Sequence, residues 1–467
     1  MKQMDYRVLG KDCIFPADTK EIGRNLNTLV IGGSGSGKTF SIVQPTLQRT
    51  NSGSLVISDP KGRLVKAYAP YFEKKGYRVR ILDFIDPVNS PVGFDPMHWL
   101  NAENEQEIMS VASMMYYGAQ DGKVNKADPF WDQMAVQLLA GLMAFLLEEC
   151  DEEEQTMASV GYLATLLDGS EDACFGYSRV RRQHKDPFAE KIRRPRSRKE
   201  DTVVPEVYES WVQGPVGMMF HDVAVRNREE GITEDPFSLR CWKQVHAGAE
   251  KTIQSIYITL NSLLGRLSTK EMKAFSKNQE RVIRQDLLFE KTVVFVKCSD
   301  VDSTLHFYAN VFYSLLMKNL FEQCDYFMDC SEHLHSVHFI LDDFASSVYI
   351  KEMPLWISTM RERNISVTLI VQSVTQLKAK YGEYDAHTIM ANCDNMVYLR
   401  SNDYQSAEEF SLRLNIPAHE ILNMPVGTEY VFCMGCEPLK TKRYDMREDE
   451  EYQAVYCEKI RMPDRIY

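Results

Sequence analysis

The stretch NTLVIGGSGSGKTF, Asn27 to Phe40, decides the fold. It opens as a β-branched apolar strand, fits GxxxxGKT through Gly32, Gly37, Lys38 and Thr39, and runs directly into a helical stretch, SIVQPTL. Strand, spacing and helix together separate a phosphate-binding loop from an ordinary glycine-rich turn. Backbone N–H groups of Gly33, Ser34, Gly35, Ser36, Gly37, Lys38 and Thr39 point into such a loop, and the helix start at Phe40 adds partial positive charge. Lys38 is expected to reach the β- and γ-phosphates and the Thr39 hydroxyl to ligate Mg2+, which makes ATP and Mg2+ the expected cofactors.

Such a loop needs an acid on a neighbouring strand to hold the cation, and often a second acid to polarise water. The only apolar strand ending in paired acids is VHFILDD, which puts Asp342 on the metal and Asp343 in the place of the base. These acids stand some three hundred residues after Lys38, so the spacing demands an inserted domain. The next strand, SVTLIV, is followed by Gln372, a polar tip beside the acids that could sense the γ-phosphate or orient water. Eleven residues earlier lies Arg361, in STMRERNISV, with Arg363 close by. In ring-shaped ATPases an arginine from a neighbouring subunit stabilises the transition state, whereas an arginine at a helix end is also favoured by the dipole alone.

The chain around these motifs has 467 residues, 44% hydrophobic and 26% charged, the balance of a globular protein with two or three cores at about 100 to 200 residues per domain. A net charge of -12 makes the surface repel phosphate overall, so nucleic acid could be met only by a local basic stripe or channel. Eleven cysteines without regular spacing fit a reducing cytoplasm. The most apolar run, Met134 to Leu147, is interrupted by Gln137 and falls short of the roughly 20 residues that cross a bilayer, so it is expected to be a buried helix.

Short β-branched runs alternate with helices in residues 1–100 and return after residue 290, as continuous strands of a mainly parallel sheet covered on both faces. The strand signal vanishes between them. Asp128-Pro129 opens a long helix through Cys150, and Gly248 to Leu267 reads as another. The expected organisation is an α/β nucleotide-binding domain from 1–100 and 268–467, interrupted by an all-helical domain at 101–267. Within the insert, Ser178 to Glu200 is rich in Lys and Arg, which reads as a solvated loop or as a contact for nucleic acid or an acidic partner. Cys330 to His338 and the Cys433/Cys436 pair lack the second half-site of a structural zinc centre, so no metal is assigned to them.

Taken in order, NTLVIGGSGSGKT, VISDPKG, DPFWD, FILDDFAS, STMRERNISVTLIVQSVTQLKAKYG and NCDNMVYL resemble the TraG-like type IV coupling proteins of bacterial conjugation, over about residues 25 to 400. The resemblance implies a RecA-like P-loop ATPase domain, kin to FtsK-like and HerA-like DNA pumps, carrying an all-helical domain. It implies a homo-hexameric ring that recruits relaxase-bound single-stranded DNA and feeds it to a type IV secretion channel, working at the cytoplasmic face of the bacterial inner membrane. Arg361 stands where the family places its trans-acting arginine.

Three departures qualify the resemblance. Asp343 replaces the usual glutamate and is one methylene shorter, so hydrolysis could be slow while binding survives. Arg63 follows DPKG where relatives commonly carry an acid. Family members usually begin with two membrane-spanning helices, and this chain has none, so the anchor was removed or a separate membrane protein replaces it. Two other functions fit less fully: an ATP-gated receptor platform for relaxase with little turnover, and an FtsK-like protein-export ATPase.

Overall fold

In a computed structural model of the chain, the described residues are 4–119, 129–167, 214–248, 250–278, 280–282, 286–327 and 334–448. Contacts divide the chain into two compact units, Met1–Val92 with Glu280–Tyr467, and Gly93–Gln279. The basic segment 178–200, Asp128, Cys330 and His333 lie outside the described residues.

The first unit is built on a nine-stranded sheet. In chain order the strands of this unit are β1 (Tyr6–Gly10), β2 (Cys13–Pro16), β3 (Thr28–Gly32), β4 (Ser54–Ser58), β5 (Arg78–Asp83), β6 (Thr292–Lys297), β7 (Val337–Leu341), β8 (Ile365–Val371), β9 (Asn395–Leu399), β10 (Thr428–Cys433) and β11 (Leu439–Lys442). β1 and β2 form a separate antiparallel hairpin, and the large sheet runs β11-β10-β9-β3-β8-β7-β4-β6-β5. From β9 to β5 every pairing is parallel; β10 and β11 turn antiparallel at one edge. Parallel strands must be covered on both faces, and the sequence obeys: every residue of β3, β4, β7, β8 and β9 is buried. Leu29, Val30, Ile31, Leu55, Val56 and Ile57 are at most 0% exposed, and full burial of such side chains contributes about 1.5–3 kcal/mol each.

Because β3, β7, β8 and β9 are parallel, the residues that follow them emerge at one edge of the sheet. β3 sits between β8 and β9, with Ile31 opposite Val371 and Gly32 opposite Leu399. The sequence expectation of an acid on the neighbouring strand is therefore corrected: β8 stands between β3 and β7. The strand beside the acids is β8, which carries Gln372 at its end.

The second unit is helical throughout its described residues. Its centre is the helix Pro129–Glu149, whose Leu138, Leu139, Leu142 and Met143 are fully buried. By length and composition Phe130–Glu149 could cross a membrane, but 67% of its apolar window is buried within the unit, as in a core helix. Phe220 stacks on Trp242 with centroids 4.6 Å apart, and Trp242 on His246 at 3.8 Å, which closes the core between the helices Gly214–Glu229 and Phe237–Val245.

Candidate nucleotide site

The loop after β3 is shaped by what its glycines leave out. A Cβ on Gly32 would stand 2.5 Å from Ser36 Oγ and 2.7 Å from the Leu399 carbonyl, so the chain can leave the sheet here only without a side chain. Gly37 has φ +89°, a left-handed conformation that glycine adopts without strain. Gly33 N–H donates to the Arg400 carbonyl at 3.1 Å and Ser36 N–H to the Gly33 carbonyl at 3.1 Å, which tie the loop to the end of β9 and to itself.

The helix after the loop starts with a wide π-type turn, Thr39–Val43, and continues as Gln44–Gln48. No side chain caps its start; the Ser41 N–H already donates to the Gly37 carbonyl at 2.8 Å, so donor capacity for a ligand lies with the N–H groups ahead of it. Ser36 Oγ is buried and has no hydrogen-bond partner. An anion of phosphate size would meet both kinds of donor.

The Lys38 ammonium donates to the Gly32 carbonyl and, at 3.1 Å, to that of Gly33, folded back over its own loop. Burial pulls its pKa down, opposed by the carboxylates of Asp342 and Asp343, with Lys61 adding repulsion. Thr39 Oγ1 donates to Asp342 Oδ2 at 3.1 Å. The loop thus crosses the end of β8 and reaches β7, which is how an acid two strands away can share one ligand with the loop helix.

Asp342 is partly buried, and burial followed by the neighbouring Asp343 raises its pKa, only partly offset by the Thr39 hydroxyl, the Asp343 N–H and Lys38. Two carboxylates held together while partly desolvated have the donor chemistry that a hard divalent ion favours. Asp343 has φ 53°, a left-handed conformation that Asp tolerates better than most residues, and its carbonyl accepts from the N–H groups of Ser346 and Ser347 at 3.0 Å. The tight turn after β7 thereby fixes the backbone of Asp343.

Gln372 is exposed at the end of β8, with its N–H on Gln376 Oε1 at 3.1 Å and its carbonyl accepting from Ser401 Oγ at 3.3 Å. It lines a cleft of about 520 Å³ shared with Gly33–Ser36 of the loop. Arg361 lies in the turns before β8, exposed, and among the described residues no side-chain partner is recorded for it. Arg363, by contrast, grips Asp325 through two hydrogen bonds of 2.7 Å and lies over Phe321, so it is a structural residue of this turn. Asp59 of DPKG accepts from the N–H groups of Arg63 and Val65 and so starts the helix Arg63–Lys74.

Sequence reasoning missed two arginines on the same cleft, Arg400 and Arg443. Arg400 could have been found, because a basic residue ends NMVYLR on a strand paired with β3. Arg443 carried no signal, since its place depends on the register of β11.

Residues 4–415 match the family described as Type IV secretory system Conjugative DNA transfer. Over 137 residues the chain is 31% identical to conjugal transfer protein TraG of Rhizobium radiobacter, covering 28% of this chain and 21% of that protein. A probable conjugal transfer protein TraG of Sinorhizobium fredii is 31% identical over the same coverage. The matched segment thus spans about a fifth of these relatives' length. In fold, the chain resembles plasmid coupling protein TrwB in complex with ADP and Mg2+, with a TM-score of 0.59, 15% identity, and coverage of 90% of this chain and 85% of that one. TrwB with a non-hydrolysable ATP analogue gives a TM-score of 0.59 at 14% identity, with the same coverage. The motifs, the parallel sheet and the match over residues 4–415 lead to one conclusion: the chain belongs to the type IV secretory system conjugative DNA transfer family.

Proposed function

We propose that this chain is the ATP-driven motor of a type IV coupling complex, which takes relaxase-bound single-stranded DNA to the secretion channel during conjugation. The observation that carries the reading is the Thr39–Asp342 contact, which brings loop and acid together in a chain of this family. The backbone of Gly32 to Phe40 and the Lys38 ammonium hold the phosphates of ATP, and Thr39 with Asp342 holds Mg2+. Bound Mg2+ would neutralise charge developing on the transferred phosphoryl group. Asp343 accepts a proton from the attacking water, and Gln372 orients that water from the tip of β8.

Arg361 acts in trans in a homo-hexamer, a role its exposed guanidinium suits. The ring concentrates basic pore residues that the overall charge of -12 conceals. Membrane attachment at the cytoplasmic face of the inner membrane and contact with channel components complete the reading. The test is steady-state ATP hydrolysis by the purified chain with and without single-stranded DNA. Stimulation by DNA, lost in Lys38→Ala, supports the motor; a wild-type chain that binds no nucleotide removes the assignment.

A second reading is an ATP-gated receptor platform with slow turnover, favoured by the short Asp343 side chain on its left-handed turn. Its ring opens or closes on ATP without sustained turnover; a large gain in turnover in Asp343→Glu favours it, and similar rates in the two chains discard it.

A further inference from the structure

The segment after β11 returns to the phosphate loop. A Cβ on Gly37 would stand 3.2 Å from Arg443 Nη1, so the guanidinium lies against the loop where the glycine leaves room for it. Arg443 also lines the cleft formed by Gly33–Ser36, Gln372 and Arg400. Its own N–H is fixed on the Gly427 carbonyl at 2.9 Å, which sets where the side chain starts. The residues that follow stay on the same helix: Tyr444 OH accepts from Arg49 at 2.7 Å, and Arg447 lies 6.0 Å over the Phe40 ring.

The Nε of Arg443 is buried without a hydrogen-bond partner. The acid nearest in electrostatic terms is Glu429, which is fully buried with both carboxyl oxygens unpartnered, and burial raises its pKa to about 8. Glu429 and Arg443 favour each other's charged forms, while burial works against the charge on both. Arg400, on the same cleft, adds a second positive charge that disfavours the first. Two guanidinium groups on one cleft with the phosphate loop, one of them with Nη1 against Gly37, suit a multiply charged oxyanion.

We propose that Arg443 is a nucleotide-binding residue: its guanidinium, brought to the phosphate loop by the segment after β11, is a ligand of the phosphate chain of the bound triphosphate. The proposal rests on the reading of the loop as a nucleotide site. It makes the segment after β11 part of the site, so that nucleotide binding holds this segment against the loop helix.

The experiment is a titration of wild type, Lys38→Ala and Arg443→Gln with a fluorescent ATP analogue and Mg2+, each checked for folding by circular dichroism. Loss of one charge-assisted contact predicts binding about 10- to 100-fold weaker in Arg443→Gln than in wild type. Equal affinity in folded Arg443→Gln and wild type overturns the proposal. Saturable binding by wild type that is lost in Lys38→Ala upholds the nucleotide site whatever Arg443 does; wild type that fails to bind removes the site and the proposal together. If Arg443→Gln does not fold, the wild-type chain is treated with phenylglyoxal with and without MgATP, and modified arginines are located by mass spectrometry. Protection of Arg443 by MgATP supports the proposal, and equal modification of Arg443 in both samples overturns it.

Discussion

The Thr39 hydroxyl meets the Asp342 carboxylate at 3.1 Å across 303 residues of sequence and across an intervening strand. Neither residue has a local reason to be there. The loop leaves β3 at Gly32, passes over the end of β8 and starts its helix beside β7, so the contact is a product of strand order. A strand order that makes this meeting possible is the property on which nucleotide chemistry in this chain depends.

Lys38→Ala should weaken nucleotide binding by about 10- to 100-fold or more, the scale of a lost charge-assisted contact. The fold should survive, because Lys38 bonds only carbonyls of its own loop. Fluorescent-nucleotide titration and thermal unfolding check the two halves.

Asp342→Asn should separate stability from function. Burial and Asp343 raise the pKa of Asp342, so the ionised form is disfavoured in the folded chain. A carboxyl group of this kind contributes most to stability below its unfolded pKa and loses that contribution as pH rises through its folded value. The amide removes this loss, so the nucleotide-free variant should unfold at a higher temperature than wild type at neutral pH, while Mg2+-dependent nucleotide binding falls. Calorimetry without nucleotide and titration with and without Mg2+ measure these effects.

Glu429→Gln tests the same physics away from the acids. Burial raises the Glu429 pKa from 4.5 to about 8, with Arg443 opposing. Between those values the folded chain holds a proton that the unfolded chain has released, so stability drains as pH rises from about 4.5 to about 8. The variant should match wild type near pH 4.5 and gain on it at higher pH, by on the order of 1 kcal/mol per unit until the folded pKa is passed. Denaturant unfolding across that range shows whether the gap widens.

His338 should act in the opposite sense. It is buried between Ser366 Oγ at 2.7 Å and Thr368 Oγ1 at 3.0 Å, and burial and Arg7 hold its pKa well below 6.5. The unfolded chain takes up a proton below pH 6.5 that the folded chain refuses, so stability from this group is present above 6.5 and lost on acidification. Relative to His338→Gln, wild type should lose stability as pH falls from neutrality to about 5, which urea titrations at several pH values would show.

The sheet was legible because parallel strands announce themselves. TVVFVK and VHFIL are mostly apolar runs, broken inside only by His338, and the structure buries all but Lys297 of them. The edge was not legible. β11 reads LKTK, with Lys440 and Lys442 exposed, a composition that protects an edge and carries no core pattern. β1 holds the buried Arg7, which breaks the apolar run that would have marked it. The loop residues from Gly32 to Phe40 and the acid pair could be proposed because their spacing matches a known motif. That β8 lies between β3 and β7, and that Arg443 reaches Gly37, are facts of strand order and register, which no local stretch encodes.

The most direct test is a double-mutant cycle on Thr39→Ala and Asp342→Asn, reading the affinity of the chain for Mn2+ with ADP by electron paramagnetic resonance. If the two side chains hold one ion, each single variant loses most of the binding and the double variant loses little more, leaving an interaction energy on the order of 1 kcal/mol or above. Losses that add, or wild-type Mn2+ binding that neither substitution weakens, would contradict the claim that Thr39 and Asp342 share a cation.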